Sequence, residues 1–334
     1  MTQPRHPPRP STDSGERRRV GIEVEFGDIS ADRTAALVQT YFDGQIEELD
    51  PRLFQVRDTV HGDYLIKLDT RYAHSRTRLE DGGELPAGLA GDFLENAVES
   101  LDKVVGDVME TWMPTEIVAP PVPYDKIGEI DELLVELRRR GASGTQASVV
   151  YAFGVHLNIE IASDDPRWLL SVLRAYLLAS GWLRKSIDLN ASRELVPFID
   201  PFPKEYAARV LDPAYEPDLD GLIADYLEDN ATRNRELDLL PLFAHLRPDL
   251  VNDRVGDPRV KPRPTFHYRL PNTDLEEQGW SLAKEWNRIV VVERLAEDGD
   301  ALREATRAWL QTVYRDKRDD DWPAESRRWL GPYL

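Results

Sequence analysis

The stretch VGIEVEF, residues 20 to 26, changes between apolar and small or acidic residues at every step, and this period of two limits the chain more than any other feature. A strand turns successive side chains to opposite faces. Val20, Ile22, Val24 and Phe26 therefore share one face, and Glu23 and Glu25 share the other. The pattern returns in YAFGVHLNIEI, with Phe153, Val155, Leu157, Ile159 and Ile161 on one side and Gly154, His156, Asn158 and Glu160 on the other. It returns again in PTFHYRLPN, where Thr265, His267 and Arg269 share the polar side. Strands buried in a parallel sheet are apolar on both faces. These strands are not, so the expected class is α+β: a mostly antiparallel sheet with helices packed on its outer, apolar face and an open polar face.

Helical spacing fills the intervals. SADRTAALVQTYF follows the first strand, and GDFLENAVESLDKVVGDVME precedes TEIVAPPVP, a short strand expected to stop at its prolines. YDKIGEIDELLVELRRRG ends in basic residues and Gly141, a helix C-terminus. SDDPRWLLSVLRAYLLASGWLRK opens on a cap in residues 163 to 165, with Pro166 in its first turn. Residues 188 to 264 are less regular, with helical pieces near 218–229 and 236–246. From Trp280 to about Arg315 the pattern is helical, interrupted near Asp298. Residues 1 to 16 are rich in Pro, Ser, Thr and Arg without periodicity and read as a disordered tail.

Charge and cysteine usage exclude several functions. With 61 acids against 42 Lys and Arg, the net charge is −19, and a chain this acidic repels nucleic acid and anionic lipid. No cysteine is present, so thiol nucleophiles, disulfides and cysteine zinc sites are ruled out, in keeping with a cytoplasmic protein. No apolar leader follows Met1, and the most apolar run is broken by Arg174, so no membrane span is expected. His-Glu-x-x-His, GxGxxG and P-loop patterns are absent.

If the alternating strands share one sheet, their polar sides meet over one surface. DYLIKLDTRY adds Lys67 and Asp69 to it, and TEIVAPP adds Glu116. Carboxylates with imidazole suit divalent metals, and an oxygen-rich set suits Mg²⁺ or Mn²⁺, which bridge to nucleotide phosphates. An arginine beside them can grip phosphate with two hydrogen bonds. Each piece alone has a plainer reading. A Glu-x-Glu strand face is usually solvated, a single strand histidine is seldom a ligand, and Arg269 by itself suggests a surface ion pair. Their joint occurrence in this order is what points to a site.

That order (GIEVEF, IKLDTRY, TEIVAPP, FGVHLNIEI, TFHYRLPN) resembles the amidoligases of the carboxylate–amine ligase superfamily, which includes glutamine synthetase and glutamate–cysteine ligase, over roughly residues 18 to 295. The resemblance implies a single catalytic domain over 17–334, its sheet curved into a glutamine-synthetase-like funnel. It implies ATP with Mg²⁺ (or Mn²⁺) on the polar face. The implied reaction joins a small-molecule or peptide carboxylate to an amine through an acyl phosphate, releasing ADP. Glu23, Glu25, Glu116, His156 and His267 would be metal ligands. His156 and Arg269 would be catalytic and would contact the nucleotide phosphates together with Lys67. Asp69 and Asn158 would face substrate. Two positions depart from the family pattern: Asn158 stands where a second histidine is frequent, and His267 where a glutamate is usual. These departures leave an alternative, a non-catalytic nucleotide- or peptide-binding protein on the same fold.

Overall fold

The computed structural model describes residues 2–68, 114–147, 153–189 and 199–334. The helix expected over GDFLENAVESLDKVVGDVME lies outside the described residues, and so does Asp69. The fold is α+β. Its eight described strands form one open sheet in the order β2-β3-β4-β5-β1-β6-β8-β7, and every neighbouring pair is antiparallel. The strands are β1 (Arg19–Phe26), β2 (Gln45–Asp50), β3 (Leu53–Thr59), β4 (Gly62–Leu68), β5 (Thr115–Pro123), β6 (Val155–Glu160), β7 (Leu237–Asp238) and β8 (Thr265–Tyr268). The strand with the two glutamates, β1, lies in the interior of the sheet between β5 and β6.

Register joins the apolar faces into one layer. Ile66, Ile117, Val24 and Val155 stand opposite one another in turn from β4 to β6, and all four are buried. Helix α1 (Ala31–Phe42) lies over β3 and β4, where Phe42 stacks on Tyr64. Helix α2 (Ile127–Arg139) carries Arg138 and Arg139 in its last turn, and the chain leaves it through Gly141 at φ +100°. Helix α3 (Pro166–Ile187) starts where the Asp165 side chain accepts a hydrogen bond from Arg167 N. Its Trp168 and Tyr176 meet Phe266 and Tyr268 on the apolar side of β8.

The remaining described helices are α4 (Lys204–Val210), α5 (Leu219–Asn230), α6 (Leu240–Leu246), α7 (Pro248–Val255), α8 (Leu282–Glu297), α9 (Gly299–Trp309) and α10 (Trp322–Leu330). Both α8 and α10 pack on α3, and Trp322 donates its indole N–H to Leu178 O at 2.8 Å. Among the described residues no helix is long and apolar enough to cross a membrane.

Three features depart from the sequence expectations. The prolines do not stop β5. Ile22 pairs with Ala119 and Val20 with Val122, so Pro120 and Pro121 together oppose Gly21. This bulge needs no ladder N–H where proline has none to give. The N-terminal residues are not a free tail either. Trp286 Nε1 donates to Arg5 O at 2.9 Å, His6 Nδ1 lies 2.7 Å from Tyr124 Oη, and Arg9 pairs with Glu297. Composition signals disorder when a segment cannot form its own core, but here the segment hydrogen-bonds to a core made by α8. Finally, the polar sheet face is not open: Glu25, Glu116, His156, Asn158 and His267 are all buried. Hydrogen bonds and ion pairs, to Gly154 N for Glu25 and to Lys67 for Glu116, replace part of what water would supply.

Candidate metal and phosphate site on the polar sheet face

Directly opposite residues in an antiparallel pair point to the same side, so the register assembles the polar face in rows. One row runs Lys67–Glu116–Glu25 across β4, β5 and β1. The next places Glu23 opposite His156 across β1 and β6. A third runs Gly21–Asn158–His267–Asp238 across β1, β6, β8 and β7. Arg269 directly follows β8, is buried, and is fixed by its backbone N–H to Glu236 O at 2.9 Å.

In the middle of this surface Glu23, His156 and His267 each offer a ligand atom, and all three atoms lie within 4.8 Å of one another. Glu23 Oε2 is 3.1 Å from His156 Nδ1, and Glu23 Oε1 accepts from Asn158 Nδ2 at 2.9 Å. The two imidazole rings meet edge to face at 5.2 Å between centroids. Glu23 is the most accessible of the three, its side chain 19 % exposed against 5 % for each histidine.

Burial dominates the electrostatics. It holds His156 well below the ordinary imidazole range against the opposing hydrogen bond to Glu23, with the charge of Arg269 pushing the same way. Burial, then the charge of Arg269, brings His267 down to about 4. Desolvation alone would raise Glu23, but the hydrogen bonds from His156 and the Asn158 amide hold it well below the usual carboxylate range. A charged His156 and a depressed His156 are incompatible at neutral pH. The consistent state is an ionised Glu23 accepting Nδ1–H from a neutral His156, which needs no imidazolium. Two neutral imidazoles beside one carboxylate are donors ready for a cation.

The other expected residues sit around this centre. Glu116 Oε2 is 2.9 Å from Lys67 Nζ, and Glu25 Oε2 accepts from Gly154 N at 3.0 Å. These two carboxylates are neighbours in register, one row from Glu23, and are not gathered into the three-residue cluster. Glu160 lies at the end of its ladder and accepts from Arg19 N at 2.8 Å. Sequence reading missed Asp238 and Arg263. Asp238 Oδ2 lies 3.7 Å from His267 Nδ1, and Arg263 Nη2 lies 3.3 Å from the same nitrogen. Asp238 belongs to a two-residue strand, too short for alternation to register, inside a segment that reads as helix.

The donor set fits a divalent ion on the structure's own terms. Among the described residues the buried His267 Nε2 has no hydrogen-bond partner, and the carboxylate and imidazole atoms already converge. Fold and site together define an α+β protein with a carboxylate–imidazole cluster, flanked by a buried arginine, on one face of an antiparallel sheet.

The chain belongs to the family described as "Putative amidoligase enzyme", whose family model matches residues 16–291. It is thus a member of a ligase-type enzyme family, and an amidoligase acts on small-molecule or peptide substrates. No curated protein and no solved structure matches the chain.

Proposed function

We propose that this chain is an ATP-dependent, ADP-forming carboxylate–amine ligase that uses Mg²⁺ or Mn²⁺ and works in the cytoplasm. The observation that carries the reading is the register itself. It sets the Glu25–Glu116–Lys67 row beside the Glu23–His156–His267 cluster, with the charge of Arg269 acting on both histidines. Family membership supplies the reaction class, and the glutamine-synthetase-like funnel belongs to this reading rather than to the described fold.

A carboxylate does not condense with an amine at neutral pH, because oxide is a poor leaving group. In the proposed reaction a carboxylate oxygen attacks the γ-phosphorus of ATP, the bond to the bridging oxygen breaks, and ADP leaves. The amine lone pair then attacks the acyl carbon, the C–O bond breaks, inorganic phosphate leaves with its electron pair, and the amine nitrogen loses a proton. The protein's part is positioning and charge neutralisation. Glu23, Glu25, Glu116, His156 and His267 would hold the divalent ions, which when bound offset phosphate charge. Arg269 pairs with the transferring phosphoryl oxygens, and Lys67 adds a point charge at the rim. The buried Asn158 Oδ1 is an acceptor for an amine N–H.

The test is ADP release in the presence of a divalent metal, a carboxylate and an amine together, with each omitted in turn. Glu25→Gln is expected to abolish it while thermal unfolding is preserved. Undiminished turnover in that variant overturns the ligand assignment. Nucleotide binding with no ADP formed favours the non-catalytic alternative.

A further inference from the structure

We infer that Glu23, His156 and His267 form a position selective for a first-row transition dication, such as Mn²⁺, Fe²⁺, Co²⁺ or Zn²⁺, over Mg²⁺. The role of that ion rests on the ligase reading, but its binding does not. Mg²⁺ is a hard cation that keeps an octahedral shell of oxygens and gives up water reluctantly. Two of the three converging donors here are imidazoles, which suit first-row transition ions. The single carboxylate leaves most of the charge of a bound dication to be met by nitrogen lone pairs, a bond Mg²⁺ makes weakly.

The surroundings favour nitrogen ligation. His267 is 4 % exposed, and its Nε2 has no hydrogen-bond partner among the described residues. Its Nδ1 lies 3.7 Å from Oδ2 of the buried Asp238 carboxylate, an oxygen with no closer donor among the described residues. A carboxylate behind an imidazole favours the Nδ1–H tautomer, which leaves Nε2 as a lone-pair donor. The Arg263 guanidinium, 3.3 Å from the same Nδ1, favours the opposite tautomer without metal, and a dication on Nε2 selects the first. Asp238 is itself anchored, its Oδ1 accepting from Leu240 N at 2.9 Å. The Glu25–Glu116 pair one row away offers only oxygens and stands outside this cluster.

The full chain, freed of metal with a chelator, is titrated with Co²⁺ alone while visible ligand-field absorption is followed. Absorption is expected to saturate at one Co²⁺ per chain and to survive Mg²⁺ in about 100-fold excess. His267→Gln is expected to weaken Co²⁺ binding about tenfold or more, and Asp238→Asn by a smaller factor. Bleaching by equimolar Mg²⁺, or an unchanged Co²⁺ titration in a folded His267→Gln, overturns the inference. Pulsed electron paramagnetic resonance of the Mn²⁺-loaded wild-type chain needs no variant. Imidazole nitrogen coupling supports the position, and its absence overturns it. A Co²⁺ site without ADP formation sinks the ligase reading alone, whereas Mg²⁺-driven ADP formation without a Co²⁺ site sinks this inference alone.

Discussion

Arg18 and Glu293 meet as a two-pronged ion pair, Nη2 to Oε1 at 2.7 Å and Nη1 to Oε2 at 2.8 Å, with both side chains out of water. The pair joins the start of β1, the strand of Glu23 and Glu25, to α8, and the Arg18 guanidinium lies 6.0 Å from the Trp168 ring. Removing one partner of such a pair strands a buried charge. Glu293→Gln is expected to lower unfolding free energy by about 3–5 kcal/mol in urea titrations. Replacing both residues with apolar ones of similar volume is expected to recover most of that loss, because no charge is left unpaired.

Lys67 forms an ion pair with Glu116, which is buried next to Glu25 in the same row. Lys67→Met is expected to cost about 1–3 kcal/mol of stability in the absence of nucleotide. The value falls below that of the Arg18 pair because about a third of the lysine side chain faces solvent. Denaturation with and without ATP checks this. A stability loss seen only with ATP present would make Lys67 a phosphate contact alone, not a structural counter-ion.

Gly44 turns the chain from α1 into β2 at φ +100°, where a Cβ would collide with the backbone oxygen of Arg57. Both the conformation and the space exclude a side chain. Gly44→Ala is expected to destabilise by about 1–3 kcal/mol, read as a lowered Tm. Co²⁺ titration of the folded variant should be unchanged, since the turn lies away from the polar face.

Asp131 accepts backbone hydrogen bonds from Leu282 N at 2.7 Å and Ala283 N at 3.1 Å at the start of α8. Burial outweighs those bonds and raises its carboxyl to about 6. The folded state thus holds this proton more tightly than the unfolded chain does. Its contribution is full below about pH 4 and is lost as pH rises through about 6. In Asp131→Asn that loss disappears. Urea unfolding of both proteins should show the wild type's advantage over the variant shrinking by about 2 kcal/mol between pH 4 and pH 7. A constant difference would mean that the carboxyl is ionised throughout.

Local pattern was enough to say which side chains could share a face. Strand geometry makes alternation local, so Glu23 with Glu25, His156 with Asn158, and His267 with Arg269 were legible without any fold. The helix ends were legible for the same reason: Asp165, Pro166 and Gly141 act on their own backbone. β2 was not legible, because it is an edge strand exposed along nearly its whole length and carries no apolar stripe. Only the tertiary structure decided the strand order and register. Those pairings set Glu23 against His156 and His267, set Lys67 against Glu116, and brought Asp238 behind His267. Each joins residues far apart in sequence, and hydrogen-bonded pairing between distant strands is selected by packing of the whole apolar layer. No period within a single segment encodes it.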